Sequence, residues 1–150
     1  MSAEVAIYLR NEQVIVVPQG GGGGYSWDAA PPVVVTPEAE AVAVAIGEGL
    51  AASRGIRGRG TEPPTQVKPS RSVVLRALGV KSHQDFYRGA SHCWLSEEED
   101  GGELIMYKSV PAADRSGFDS APDPVEIIES REDAGAVVLR YLRDAPSMPG

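Results

Sequence analysis

The sequence holds a single cysteine, Cys93, which excludes an internal disulfide and a cysteine-built zinc cluster. Long hydrophobic runs are also missing. The longest uninterrupted aliphatic stretch, Ala41 to Ile46, falls far short of the roughly 20 residues a membrane-spanning helix needs. Glu4 and Arg10 interrupt the N-terminus, so it does not read as a basic segment followed by an apolar one, and a cytoplasmic protein is expected. The two histidines make no metal-ligand or nucleophile pattern with Cys93. His92 and Cys93 are adjacent and would point to opposite faces of a strand, and His83 lies apart among polar residues. No Gly-x-Ser-x-Gly elbow occurs. No enzyme signature, catalytic residue, cofactor motif or metal set emerges.

Glycine is abundant, and five consecutive residues, Gly20 to Gly24, invite a phosphate-loop reading. The following residues exclude it. A phosphate loop needs Gly-Lys-Ser/Thr opening a helix, whose N-terminus and lysine contact the phosphates. A dinucleotide fingerprint likewise needs a helix directly after the glycines. Here Tyr25-Ser26-Trp27-Asp28 follows, then Pro31-Pro32. The run is expected to be a flexible strand-to-strand loop that delivers Tyr25 and Trp27 to the core or to a partner.

The net charge of -7 is unevenly spread. Residues 1–53 carry one basic and six acidic side chains, residues 54–88 eight and two, and residues 89–150 five and thirteen. The acidic ends either form a solvated surface or attract a basic partner.

Strands are expected at Val5 to Arg10, Gln13 to Val17 and Pro32 to Val35, with Asn11-Glu12 as the first hairpin turn. Thr36 reads as the N-cap of a helix with Pro37 at its first position, ending near Ser53 and burying Val42, Ile46 and Leu50. Gly47 and Gly49 each weaken it by about 1 kcal/mol. Residues 54–69 are rich in Pro and Gly and read as a linker. Two short helices follow. Ser70 or Ser72 starts the first, which ends at Gly79. Ser82 caps the second, with Asp85 at capping-box spacing, and buries Phe86 and Ala90. The opening pattern then returns: a strand at His92 to Leu95, an acidic turn at 97–102, a strand at Glu103 to Lys108 and a polar loop with Gly117-Phe118. A strand at Pro124 to Ile128 and a helix from Ser130 to about Arg143, burying Ala134, Val138 and Leu142, complete it.

From Pro32 to Ser53 the first half matches Pro124 to Ala145 at a constant offset, with Pro32/Pro124, Val33/Val125, Glu40/Glu132 and Leu50/Leu142 identical. The expectation is one α+β domain over 1–150, an internal duplication of 4–53 and 91–145. Linker 54–71 and a helical connection over 72–90 join the halves. Two ββ-loop-β-α units would give an antiparallel sheet of about six strands with the helices on one face.

Residues 72–89, two short helices in the basic segment, also resemble a helix-turn-helix showing His83, Gln84, Tyr87 and Arg88 to DNA. Asp85 stands where an aliphatic residue should join the helices, Leu75 where a small one is usual, and the acidic balance opposes phosphate binding.

Residues 73–118 resemble immunity proteins of contact-dependent growth inhibition and related polymorphic toxin systems. The matching positions are Leu75, Gly79, Val80, Lys81, Ser82, Phe86, Gly101 and Gly117-Phe118. His83 replaces the usual aromatic, and Ser116 the usual second Gly. The resemblance covers about two thirds of the chain and is structural rather than catalytic. It implies a cytoplasmic, non-enzymatic protein that neutralises a cognate C-terminal toxin domain, many such toxins being basic nucleases. It involves neither membrane nor cofactor, and no nucleic acid. Acidic side chains would mimic the charge of the toxin's substrate, and the candidates are Glu97, Glu98, Glu99 and Asp100, with Asp114, Asp119 and Asp123. Tyr25 and Trp27 are candidate aromatic anchors. A helix-turn-helix regulator and a structural scaffold domain are the alternatives.

Overall fold

Along β1 (Ala3–Arg10), Val5 and Ile7 face one core while Ala6 and Tyr8 face another, so this strand is buried on both sides. It lies at the centre of the sheet. The computed structural model describes residues 2–22, 25–58 and 72–149, with only the backbone described at Gly22, Tyr25, Ser26 and Pro124. The other elements are β2 (Gln13–Gly22), β3 (Tyr25–Asp28), β4 (Val33–Val35), α1 (Ala39–Gly58), α2 (Val73–Leu78), α3 (His83–Tyr87), β5 (Ser91–Glu97), β6 (Leu104–Pro111), β7 (Phe118–Ile128) and α4 (Arg131–Asp144).

The fold is α+β. Seven strands form one antiparallel sheet in the order β3-β2-β1-β5-β6-β7, with β4 also paired to β2. The order is palindromic about the β1–β5 pair, which runs from Ala3↔Glu97 to Leu9↔Ser91. Both long helices cover one face. Val42, Ala45, Ile46 and Leu50 of α1, with Ala134, Val138 and Leu142 of α4, pack on Val5, Ile7, Val14, Val16, Cys93, Leu95 and Met106. The opposite face carries a smaller core in which Val74, Leu75 and Phe86, from α2 and α3, cover Ala6, Tyr8, Ile15 and Val17.

Local signals explain the short helices. Ser72 caps α2 through the Leu75 N–H, and Gly79 ends it at φ 70°. Ser82 accepts from the Asp85 N–H at the start of α3, and Ser130 from the Asp133 N–H at the start of α4. Asn11 and Glu12 both take positive φ, the geometry that closes a two-residue hairpin.

Several boundaries differ from the sequence reading. Gly20, Gly21 and Gly22 belong to β2 and pair with Trp27, Ser26 and Tyr25, so most of the glycine run is strand rather than loop. Gly23 and Gly24 lie outside the described residues. In the second half, Gly117 lies in the expected loop, but Phe118 already starts β7. A strand as long as β2 or β6 leaves N–H and C=O groups open beyond the short partners the pattern suggested, and β3 and the first part of β7 satisfy them. The first helix starts at Ala39, not next to Thr36, because Glu38 O accepts the first helical bond from Val42 N. It also runs past Ser53 to Gly58. Ser53 Oγ accepts from Glu4 N and donates to Gln19 O, and Arg57 reaches Gln19 O, Ser2 and Glu4. Those tertiary bonds outweigh the weak helix propensity of Gly55. The rest of the expected linker, 59–71, is outside the described residues.

Two helix glycines are there for space. A Cβ at Gly49 would stand 2.8 Å from Val5 and 2.9 Å from Val16, so its absence lets α1 settle on the sheet. A Cβ at Gly135 would run into the Ala39 carbonyl oxygen and stand 2.9 Å from Ala43 N, so α4 rests on the backbone of α1. Gly47 has open space around its Cβ position. Gly135→Ala should therefore destabilise the fold by about 1–3 kcal/mol or more, whereas Gly47→Ala should stabilise it by about 0.5–1 kcal/mol. Urea denaturation of the two variants checks the opposite signs.

Candidate functional site

Glu97 was expected in an exposed acidic turn. It is instead the last residue of β5, and its side chain is fully buried. A carboxylate there needs cations and donors. Arg54 reaches Oε1 at 2.6 Å, and Arg131 binds both oxygens at 2.7 and 2.9 Å. Arg131 also pairs with Asp100 at 2.8 Å, and its pKa is raised chiefly by the hydrogen bond to Glu97. Glu97 is thus a clamp joining α1, β5 and α4 and is withdrawn from the molecular surface. Glu97→Gln should cost about 1.5–3 kcal/mol in a urea melt, since a charged partner is lost to two arginines at once.

Glu98, Glu99 and Asp100 are exposed in the turn after β5. Asp114 is exposed at the far end of β6, where its carboxylate accepts from the Ser116 hydroxyl and N–H, bonds that lower its pKa. The length of β6, about 20–25 Å at the usual rise per strand residue, separates these groups, so they do not form one patch. Asp119 and Asp123 are exposed on β7, and Asp119 points to the face opposite Phe118. The Tyr25 side chain lies outside the described residues. His92 and Cys93 do face opposite sides of β5. Cys93 is in the helix-covered core, where burial pushes its thiol pKa well up.

The aromatic side chains converge instead on the sheet face opposite the long helices. A cavity of about 330 Å³ opens there. Its floor is Ala6, Tyr8, Gln19 and His92, all buried. Its walls are Trp27, Asp28, Tyr87, Trp94 and Phe118, all half-buried. Trp27 can lie there because its partner across the strands is Gly20, where a Cβ would come 2.7 Å from the indole nitrogen. Tyr8 packs on Phe86, Tyr87, His92 and Phe118. Burial raises the Tyr8 and Tyr87 pKa values, that of Tyr87 to about 12, and the Asp28 charge adds to both. From the cavity the same face continues across β6 and β7, which leave Tyr107, Val125 and Ile127 exposed as cross-strand neighbours.

Strand alternation places Tyr8 beside His92 and Trp94, but no local motif marks the site, because its walls come from β3, α3, β5 and β7. Of the expected anchors only Trp27 is seen there. The α3 helix is five residues long, and its Tyr87 is committed to this cavity rather than free on a recognition face.

His92 is polarised. The Ser109 hydroxyl donates to His92 O at 2.6 Å, so it accepts from Nδ1–H at 2.8 Å and leaves Nε2 as an acceptor. Behind it, the Tyr141 hydroxyl accepts from Ser109 N and donates to Ser109 O next to the register shift in β6. Burial lowers the His92 pKa from 6.5 to about 3. The unfolded chain takes up this proton below about pH 6.5 and the native one only near pH 3, so stability falls as pH drops through that window. His92→Gln should flatten the decline by up to about 1.4 kcal/mol per pH unit, measured as the urea midpoint between pH 6 and 4. An unchanged slope would contradict a neutral His92.

Among the described residues no three His, Cys, Asp or Glu side chains gather as metal ligands, and no helix is long and apolar enough to cross a membrane. No protein-family model matches the sequence, and no curated protein matches it. Two solved structures share the fold over nearly the whole chain. A protein of unknown function from Neisseria meningitidis has a TM-score of 0.66 at 14% identity, covering 95% of each chain. A chain of a CdiA-CT/CdiI toxin and immunity complex from Yersinia pseudotuberculosis has a TM-score of 0.62 at 11% identity, covering 98% of each. At these identities the likeness is one of fold.

Proposed function

We propose that this protein is a cytoplasmic, non-catalytic immunity protein that neutralises a cognate toxin domain, a basic nuclease, by one-to-one association. The observation that carries the reading is the likeness, over 98% of both chains, to a chain of a toxin and immunity complex. Two features support the inhibitor role over the toxin role. With a net charge of -7, the chain is poorly suited to approach phosphates and well suited to a basic cleft. One sheet face also carries half-buried and exposed aromatic and aliphatic side chains without a helix over them, as an interface core requires. Trp27, Trp94, Tyr107, Val125 and Ile127 form the centre of the contact. Glu98, Glu99, Asp100 and Asp123 steer the encounter from its edges, Asp114 and Asp119 add to the acidic field from farther out, and Tyr25 is a further candidate anchor.

The same reading takes the chain as a single duplicated domain. The palindromic strand order supports this, as do the starts of α1 and α4 at Ala39 and Arg131, which keep the offset of the identical residues.

The test is co-expression with the toxin domain encoded immediately upstream. Growth should be restored, and the two purified chains should elute as a one-to-one complex. Tyr107→Ala should weaken that complex by about 1–2 kcal/mol without unfolding the protein. Growth arrest that persists, with no complex, overturns the reading. Arrest caused by this chain alone would reassign it to the toxin side.

A further inference from the structure

The cavity on the open sheet face has an unusual balance of groups. Its walls bring together the rings of Trp27, Tyr87, Trp94 and Phe118 with one carboxylate, Asp28. Asp28 accepts a hydrogen bond from Gln19 Nε2 at 2.8 Å, and no cation pairs with it among the described residues. Among the described residues no lysine or arginine lines the cavity. The polar atoms beneath are the Tyr8 hydroxyl, which stays protonated, and the imidazole of neutral His92, whose free nitrogen is an acceptor. Among the described residues the fixed charge that faces the cavity is therefore the negative one of Asp28, and the surrounding surface is aromatic.

Such a site discriminates by charge. An anion would meet Asp28 in a half-enclosed space. A neutral apolar group would strip water from Asp28 without replacing it, at the cost of an unpaired carboxylate. An organic cation offers the carboxylate a charged donor and lets its weakly hydrated surface lie against rings. The volume, about 330 Å³, is at the small end of ligand pockets and admits one extended side chain.

We propose that this cavity receives an arginine side chain of the protein partner, held between the aromatic walls and paired with Asp28. The inference rests on the binding role argued above and adds the chemistry of the anchor. A side chain is the occupant, rather than a free amine, because the cavity is continuous with the exposed Tyr107, Val125 and Ile127 surface, over which a partner's backbone would lie. The partner's acid-complementary charge supplies the residue.

The probes are the capped tripeptide Gly-Arg-Gly, its citrulline counterpart and free arginine, titrated into the full chain while the two tryptophan indole N–H resonances are followed by NMR. The arginine peptide should shift both resonances in the millimolar range. The citrulline peptide should bind roughly tenfold more weakly or not at all. Asp28→Asn, which keeps the Gln19 bond acceptor, and Trp27→Leu should each lower the arginine-peptide affinity by roughly tenfold, with an unchanged melting transition for the Asn variant. No shift with the arginine peptide, equal binding of citrulline, or full affinity in Asp28→Asn would each overturn the proposal. So would free arginine binding more tightly than the peptide, which would assign the cavity to a small-molecule amine. If the toxin is neutralised equally well by Asp28→Asn, the anchor is wrong while the immunity role stands. If the peptide binds as expected but no toxin is neutralised, the immunity role fails and with it the identity of the partner.

Discussion

A carboxylate sealed from water has to be met by positive charge, and much of this fold is arranged around meeting that need for Glu97. The residue ends β5, one of the two central strands. Its cations come from the last turns of α1 and the first residue of α4. The pairing therefore fixes the ends of both long helices against the centre of the sheet. Together with the bonds of Ser53 and Arg57 to Glu4 and Gln19, it anchors the end of α1 around Gly55. At the other contact between the helices, Gly135 removes the one Cβ that would hold them apart. Charge at one end and close backbone approach at the crossing together hold α1 and α4 as a single layer.

The sheet's two faces are dressed differently. One is closed by that helix layer with aliphatic packing throughout. The other is only half closed, because α2 and α3 are short and cover β1 and β2 while leaving β6 and β7 open. Aromatic rings gather at the boundary between covered and open regions. The hydroxyl of Ser109 and the phenol of Tyr141 complete this boundary from within and fix the tautomer of His92, whose ring burial keeps neutral beside Trp94 and Phe118. A ring-lined cavity thus adjoins an uncovered stretch of sheet, the arrangement on which the proposed contact rests.

Much of the framework is legible in the residues. Serine caps at 72, 82 and 130, the four-residue spacing of Val42, Ile46 and Leu50, and the apolar run of β1 each specify their element through local chemistry that tertiary contacts did not override. The extra strand pairing was hidden because Gly21 and Gly22 have no strand propensity of their own and pair only because β3 is beside them. Glu97 was misread for a related reason: an acidic run reads as a solvated turn unless Arg54 and Arg131, distant in sequence, are known to converge on one of its members. The cavity was illegible as a unit. Trp27 reads as a candidate anchor from its sequence setting, but Tyr8, Tyr87, Trp94 and Phe118 reach the cavity from separate elements, and only the fold makes them neighbours. The acidic candidates fall on two separate stretches of sequence, and the span of β6 sets Glu98, Glu99 and Asp100 apart from Asp114.

The palindromic sheet has a cost in time. Its two innermost strands pair Leu9 with Ser91 and Ala3 with Glu97, partners roughly 80 to 95 residues apart along the chain. A ribosome must therefore extrude most of the protein before β1 finds β5. Until then the β1–β2 hairpin carries an open edge, which makes the centre of the sheet a late event in folding and ties the protein's readiness to the speed of its own synthesis.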